Sequence, residues 1–441
     1  MTGLAAAWAP AVVLMAIEGA LAALHPLAAL CALAIVFPFD APLVVKAPVT
    51  VFSGEALVAG LLAGLVARRL WTRGALVRPV IVAGGWLAVL LAAALLSGTH
   101  AVDRWAVVKQ ALRWAQPWLV FAAVVQVVRA GAASARLAGA FTGMAVVLAL
   151  LGIAEALAGT GSGLNMPGWV LDENPLVERA HGPFHPNLLA PYLSIAILIA
   201  VASWRGWIAR VPGWLLAAGV AVLAAALALT QARTGWVAMA AALVVWGAAR
   251  ARPRRVLAAA GVALVLAAGA AAVLPSLRGR LASMTAPWNA PSFQFRVQAF
   301  RLGLSFWAGH PLTGIGGGNY AAAFDRRLAA GAPNPGEAMR YHTHNFFLQT
   351  GLETGIVGLA AWLGVLGWLV VHFWGLRARA PGGAALGLAL VTLFVAGNML
   401  EVTVTQARGL MYAFGWGIAA AMGAGLAPRR PVVGRRTRGL S

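Results

Sequence analysis

Apolar stretches long enough to cross a membrane recur along most of the chain, with short polar connections between them. A transmembrane helix needs about 17 to 25 mostly apolar residues, so each stretch predicts one span. The predicted spans are roughly 50–67, 79–97, 105–128, 137–158, 186–203, 213–229, 234–249, 256–274, 346–374, 384–401 and 408–426. Residues 4–39 are also apolar but contain Glu18 and His25-Pro26, which favours one span with a re-entrant piece or two short helices. The pattern predicts an all-α polytopic membrane protein with about 12 transmembrane helices.

Two polar segments interrupt this pattern for long enough to form structured loops. Residues 159–185 and 275–345 both mix tryptophan, proline and glycine with apolar residues, which is not a disordered composition. Apolar periodicity near residues 293–302 predicts a helix inside the second loop, lying at the membrane interface. The predicted parts are an N-terminal transmembrane bundle at 1–274 that includes the loop 159–185, a loop region at 275–345, C-terminal transmembrane helices at 346–426 and a basic tail at 427–441.

Composition supports a membrane protein and excludes two kinds of site. The 441 residues are 61% hydrophobic and only 10% charged, with a mean hydropathy of +0.83. In soluble domains about a quarter of all residues are charged. The single cysteine, Cys31, excludes an intramolecular disulfide framework and a cysteine-based metal site.

The net charge of +21 reflects membrane topology rather than a nucleic-acid partner. Nineteen of the 33 basic residues fall in connections that share one side of the predicted bundle and contain no acid. They are Arg68, Arg69, Arg73, Arg78, Arg129, Arg136, Arg205, Arg210, Arg250, Arg252, Arg254, Arg255, Arg377, Arg379, Arg429, Arg430, Arg435, Arg436 and Arg438. By the positive-inside rule these connections and the C-terminus are cytoplasmic, so the loops 159–185 and 275–345 face outward.

The outer loop 275–345 concentrates cationic side chains, among them Arg296 and Arg301 on its predicted helix. Two interpretations fit: a face that binds solvent or lipid headgroups, or a clamp for a diphosphate. The planar fork of arginine suits paired phosphate oxygens better than the point charge of lysine. Arg233 lies in the tight outer turn from Thr230 to Gly235, where it either snorkels to headgroups or faces the bundle to hold an anion.

Histidines supply the second kind of candidate chemistry. His342 and His344, followed by Asn345, directly precede a long apolar span, and a histidine there can act as a general base near neutral pH. The i, i+2 spacing predicts that the imidazoles diverge, so that one of them, preferably His344, faces the site. A structural histidine pair is the alternative. No metal site is predicted, because no acid is clearly paired with these histidines or with His185.

Other motifs carry weaker signals. Residues 178–190 form a sharp helix entry with Arg179 and His185 as second-tier site candidates. The glycine-rich stretch 314–318 lacks the strand and the GK[ST] ending of a nucleotide loop, so its glycines indicate positive φ and close backbone approach.

Five acids in or near the apolar spans keep a transporter interpretation open, because they could form a proton path. One of these acids, Glu353, lies about two turns below His344 and is expected to support the site. They are Glu18, Glu55, Glu155, Glu353 and Glu401.

The order of these motifs resembles the O-antigen ligase and polymerase superfamily of bacterial envelope glycosyltransferases. The resemblance rests on segments 182–190, 230–235, 310–316, 344–349 and 353–355, together with Arg296. It implies a GT-C-like enzyme of the inner membrane that needs no cofactor and no metal. Such enzymes take a glycan from undecaprenyl diphosphate on the periplasmic face and pass it to a hydroxyl acceptor with inversion.

The resemblance also implies roles for individual residues. Arg233 and Arg296 would bind the diphosphate, and His344 would deprotonate or orient the acceptor hydroxyl. Further substrate-binding candidates are Arg301, His342, Asn345, His185 and Arg179.

Three reactions remain open within the family, and one function lies outside it. In a ligase the acceptor is a sugar of the lipid A–core, in a polymerase it is the growing glycan, and in a third relative it is a protein. A transporter or flippase would instead gather its polar residues near the bilayer midplane. Because most polar residues here gather at the outer edge, the sequence favours a ligase, with membrane lipids and lipid-linked glycan as its partners.

Overall fold

The computed structural model describes residues 2–46, 49–73, 75–128, 131–158, 185–207, 209–250, 279, 285, 288, 291–404 and 406–424. Helices dominate these residues. They are α1 Thr2–Leu24, α2 Pro26–Val36, α3 Ser53–Thr72, α4 Arg78–Leu96, α5 Arg104–Val127, α6 Ala132–Ala158, α7 Pro186–Trp207, α8 Gly213–Leu229, α9 Arg233–Ala249, α10 Pro291–Gly309, α11 Tyr320–Ala329, α12 Phe346–Leu376, α13 Pro381–Asn398 and α14 Leu410–Ala424.

The helices make this a multi-pass membrane protein. By length and composition, five segments among the described residues can cross a membrane: Arg78–Thr99, Ala132–Ala158, Pro186–Trp207, Phe346–Leu376 and Pro381–Asn398. Shorter apolar helices accompany them at Trp8–Leu24, Pro26–Phe39, Gly213–Leu229, Arg233–Ala249 and Leu410–Gly423. The predicted span 256–274 and most of the loop 159–185 lie outside the described residues, so the total of about 12 spans stays a prediction.

Two predicted spans form helices that are less apolar than the rest. These helices are α3 and α5, which lie where the sequence predicts the spans 50–67 and 105–128. Glu55 and Arg113 lie on them, with Arg113 Nε 3.7 Å from Glu55 Oε1. Pairing of opposite charges between helices reduces the cost of placing them in the bundle.

The N-terminal segment forms two helices, one of the two arrangements that its sequence allowed. His25 separates α1 from α2, and Pro26 is the first residue of α2. Proline is well tolerated there because the N–H of a first helical residue has no partner within the helix. α1 packs along α3. The following loop contains a two-stranded antiparallel hairpin, β1 Pro42–Lys46 with β2 Val49–Phe52, which is a small exception to the all-α class.

Buried aromatic rings join α5 to the last three helices. Trp118 of α5 stacks on Trp416 of α14 with ring centroids 5.8 Å apart. Trp362 of α12 stacks on Phe394 of α13 at 6.0 Å. Offset stacking of large rings adds stabilisation beyond area burial, so these contacts fix α5, α12, α13 and α14 against one another.

Helix α12 breaks at Gly355, where φ is 67° and ψ is −171°. The break frees the carbonyls of Leu352 and Glu353, which accept hydrogen bonds from Ile315 N and Gly316 N, each at 2.9 Å. On the other side of the break, Ile356 N donates to Pro311 O at 2.9 Å. An incoming loop therefore satisfies the backbone groups that the break exposes, as an apolar environment requires.

The incoming loop is the glycine-rich stretch that the sequence singled out. Gly314, Gly316 and Gly318 have φ values of 74°, 100° and 73°. Gly317 N donates to Ser97 Oγ at 2.9 Å. The prediction of positive φ and close backbone approach is confirmed, and the neighbour that is approached is the protein itself.

We predict that Gly355→Ala destabilises the protein. The observed φ and ψ lie in a region that only glycine occupies, at a cost of about 1 to 3 kcal/mol for other residues. An added Cβ would also meet the Leu312 carbonyl. Thermal unfolding in detergent, followed by tryptophan fluorescence, should show a clearly lower Tm.

Gly367→Ala is the matched control, because Gly367 lies in the same helix with open space around its Cα. It should keep the wild-type Tm or raise it slightly, since alanine favours helix. Equal Tm values for the two variants would contradict the proposed role of the break.

Candidate functional site

A buried carboxylate between two histidines lies at the centre of the site. Glu401 follows the end of α13 and is 6% exposed. Its Oε1 lies 3.3 Å from His344 Nδ1 and 3.9 Å from His342 Nε2. Its Oε2 accepts a hydrogen bond from Asn187 Nδ2 at 2.8 Å. We call His342, His344, Asn187 and Glu401 the Glu401 cluster.

The backbone before α12 turns both histidines toward Glu401. His344 has φ of 54°, a left-handed conformation that is uncommon outside glycine. His344 N donates to His342 Nδ1 at 3.2 Å, and the two ring centroids lie 4.2 Å apart. The sequence prediction that the imidazoles diverge is therefore wrong, because residues 341–345 are not helical and residues i and i+2 of an extended segment lie on the same face.

The polar contacts of the two rings indicate their tautomers. His342 Nδ1 accepts a hydrogen bond, so the neutral ring carries its proton on Nε2, which faces Glu401. His344 Nδ1 lies 3.3 Å from the same carboxylate, which favours the neutral tautomer with its proton on Nδ1. In that tautomer the lone pair of His344 is on Nε2, away from Glu401.

The surroundings favour an ionised Glu401 beside a neutral His342. Burial, together with the charge of the neighbouring His344, lowers the pKa of His342 from 6.5 to about 4. Burial alone would raise the pKa of Glu401. The His344 contact and the charges of His344, His342 and Arg296 outweigh it and hold that pKa well below its usual range. At neutral pH the carboxylate is thus available to orient His344.

Two arginines meet beside the cluster at Ser292. Arg233, the first residue of α9, donates from Nη2 to Ser292 Oγ at 2.7 Å. Arg296 of α10 donates from Nη1 to Ser292 O at 3.3 Å and from Nε to Leu400 O at 3.1 Å. The structure therefore brings Arg233, Arg296 and His344 together.

Helix ends from three segments converge on the same place. α7 and α12 begin at the cluster, since Asn187 and the Phe346 N–H both bond to Glu401. α9 begins at Arg233. Helix N-termini carry partial positive charge and exposed N–H groups, so this end of the bundle favours an anion. Arginines of the basic connections lie at the opposite ends of these helices: Arg205 in the last turn of α7 and Arg377 at the C-cap of α12.

The second-tier candidates differ in their positions. His185 Nδ1 accepts from Asn187 N at 3.2 Å, and His185 is near enough to lower the pKa of His342. Asn345 caps α12 by accepting from Leu348 N at 2.9 Å. Arg301 is exposed and lies five residues after Arg296, about 140° around α10, so it does not join the cluster. Arg179 lies outside the described residues.

A buried polar chain supports the backbone that carries His344. Thr343 N donates to Gln349 Oε1 at 3.0 Å, and Gln349 Nε2 donates to Glu353 Oε1 at 2.7 Å. Glu353 also accepts backbone hydrogen bonds from Gly318 and Tyr320. The predicted support of the site by Glu353 thus runs through Gln349, and it ties the left-handed histidine to the broken helix.

Sequence reasoning missed the central carboxylate. It placed Glu401 among the membrane acids and paired no acid with the histidines, whereas Glu401 contacts both. The available signal was an acid at the outer end of an apolar span in a chain with only 12 acidic residues. Asn187 and Ser292 were missed because neither residue type is distinctive at a helix start.

The cluster also presents a set of metal-ligand atoms. His342 Nε2, His344 Nδ1 and Glu401 Oε1 all lie within 4.8 Å of one another. The sequence argument against a metal, the absence of a paired acid, therefore does not hold for these residues.

We predict that His342 makes the protein sensitive to acid. Its pKa is 6.5 ordinarily and about 4 in the fold, so the unfolded chain binds a proton in this range that the folded chain excludes. The resulting stability is present above pH 6.5 and is lost as the pH falls toward 4. The Tm of wild type should fall more steeply across that range than the Tm of His342→Gln.

His310→Gln is the control for the loss of an imidazole. His310 stacks on His100 with ring centroids 4.3 Å apart, away from the cluster, and this variant should follow the wild-type curve. Parallel pH curves for wild type and His342→Gln would show that the fold does not keep His342 neutral.

Part of the chain is similar to a known protein family. Residues 218–363 match the family model described as O-antigen ligase, a segment that contains Arg233, Arg296 and His344. Asn187 and Glu401 lie outside the matched segment. No curated protein matches the chain. The match to the O-antigen ligase model supports assignment of this chain to the O-antigen ligase and polymerase superfamily.

Proposed function

We propose that the protein is a metal-independent O-antigen ligase that transfers a glycan from undecaprenyl diphosphate to a hydroxyl of a lipid A–core sugar. One observation carries the proposal: two arginines meet at Ser292 beside a histidine that a buried carboxylate orients. The superfamily assignment supplies the class of substrate, a lipid-linked glycan.

The arginines suit the diphosphate of the donor. In the transfer step the bond between the anomeric carbon and the diphosphate oxygen breaks, and negative charge grows on the leaving diphosphate. Arg233 and Arg296 present planar guanidinium groups that can each hold two phosphate oxygens. The N-termini of α7, α9 and α12 add partial positive charge. Charge stabilisation of this kind acts where the charge develops.

The histidine suits the acceptor. As the acceptor oxygen bonds to the anomeric carbon from the opposite side, its proton passes to His344 Nε2. Glu401 keeps His344 Nδ1 protonated and stabilises the imidazolium that forms. Attack opposite the leaving group gives inversion, which is what the resemblance implies.

The position of the cluster favours a transferase over a transporter. The arginines and histidines lie at the ends of α7, α9, α12 and α13, whereas transporters place such groups at mid-membrane breaks. The positive-inside rule orients this end toward the periplasm, opposite the basic connections. The donor and acceptor lipids both lie within reach of that surface.

We predict that His344→Gln reduces transfer by about 100-fold or more, because a general base contributes about 10² to 10⁴ in rate. Glu401→Gln should reduce kcat by a smaller factor, since Nε2 remains but loses its orientation. Single-turnover transfer in proteoliposomes with EDTA measures both. His310→Gln, as the matched histidine control, should retain wild-type turnover. Activity of His344→Gln within threefold of wild type would rule out the proposed base.

We predict that the acceptor distinguishes ligase from polymerase. Proteoliposomes with undecaprenyl-diphosphate-linked glycan would receive lipid A–core in one arm and no added acceptor in the other. Glycan on lipid A–core, produced in the presence of EDTA, is the expected result. Longer lipid-linked chains in the arm without lipid A–core would identify a polymerase instead, and no transfer in either arm would favour a transporter.

A further inference from the structure

We propose that His342, His344 and Glu401 form a binding site for a single divalent transition-metal ion, with Zn²⁺ the best fit, and that an ion bound there blocks the site. The blocking role rests on the proposed function, whereas the binding site stands on its own geometry. The ion is therefore an inhibitor of a reaction that itself needs no metal.

The positions of the three ligand atoms suit a tetrahedral ion. Ligands at about 2.0 to 2.2 Å from a tetrahedral Zn²⁺ ion lie about 3.3 to 3.5 Å apart. His344 Nδ1 and Glu401 Oε1 are already 3.3 Å apart, and His342 Nε2 is 3.9 Å from Glu401 Oε1. All three atoms lie within 4.8 Å of one another, so shortening their separations by at most about 1.5 Å through side-chain rotation gives tetrahedral spacing.

The donor set and its surroundings fit the same ion. Two imidazole nitrogens and one carboxylate oxygen are a common set in zinc sites that keep a fourth position open. Asn187 Nδ2 donates to Glu401 Oε2 at 2.8 Å and so holds the carboxylate with Oε1 directed toward the histidines. Residues that hydrogen-bond to metal ligands commonly orient them in this way. The side chains of His342 and His344 are 28% and 21% exposed, so an ion can enter.

Competing interactions limit the affinity. The ion must replace the proton on His344 Nδ1, and His342 must move its proton to Nδ1 and lose the hydrogen bond from His344 N. The positive charge of Arg296, which lies close enough to lower the pKa of Glu401, also opposes a dication. We therefore expect weaker binding than in structural zinc sites.

A metal ion bound at this site would remove two features that the proposed mechanism uses, the lone pair on His344 Nε2 and the orienting carboxylate of Glu401. Once Nδ1 of His344 binds the ion, the imidazole proton lies on Nε2, and the ring can no longer accept the acceptor proton. Glu401 would also be neutralised as the orienting group. Transfer should therefore slow as ZnCl₂ is added and recover when EDTA removes it.

Titration of the full chain in detergent with ZnCl₂ tests the site directly. We expect one ion per chain by calorimetry, and binding weakened by at least about tenfold in His342→Gln and in Glu401→Gln. His310→Gln, which removes an imidazole from the separate His100–His310 stack, should bind as wild type does. Thermal unfolding without metal checks that each variant is folded.

Substitution of Co²⁺ for Zn²⁺ gives a readout that does not depend on the variants. Wild type should develop the intense visible absorption of four-coordinate Co²⁺. Weak six-coordinate absorption, the absence of saturable binding, or equal loss in His310→Gln and His342→Gln would each overturn the site.

Activity then tests the blocking role separately. Saturating Zn²⁺ that leaves transfer unchanged would overturn the inhibition. A chain that binds one ion but transfers no glycan with or without EDTA would support the site and count against the proposed function.

Discussion

The end of the bundle that carries the candidate site is organised around the buried carboxylate of Glu401. A carboxylate withdrawn from water is costly unless charged or hydrogen-bonding partners surround it. Here the partners come from distant parts of the sequence: Asn187 at the start of α7 and the two histidines before α12, while Arg296 of α10 adds its charge nearby. The interactions of this one carboxylate therefore bring Glu401, His344 and Arg296 together. In the proposed transfer these three residues are the orienting acid, the base and a cation.

The broken helix α12 supplies the rigidity that this assembly needs. Gly355 interrupts the helix, the loop 311–318 fills the break, and Gln349 links Glu353 to the backbone of Thr343. His344 can hold its left-handed backbone because Thr343 Oγ1 donates to Asn345 O at 3.0 Å and so ties the two flanking residues together. Such strain persists where the surrounding structure over-determines it, and it is common at functional sites.

Part of the site could be predicted from the sequence. Arg233 and His344 were singled out as polar residues beside predicted apolar spans and Arg296 as a cation on the predicted helix of the loop 275–345, and the family resemblance implied their roles. The same reasoning could not pair them with Glu401, which lies 57 positions after His344 and was one of several acids in or near the apolar spans. Spacing alone does not show which face of α10 turns toward the bundle, so only the resemblance ranked Arg296 above Arg301.

The sequence by itself determined the membrane class, the cytoplasmic placement expected for the basic connections, the candidate arginines and the conformational need of the glycine loop. These follow from length, hydropathy, charge distribution and the absence of a Cβ, which are local properties. The tertiary structure alone decided that both histidines face one carboxylate, that two arginines share Ser292, and that the glycine loop repairs a broken helix. Those contacts join residues far apart in the chain, and their partners cannot be read from local sequence spacing.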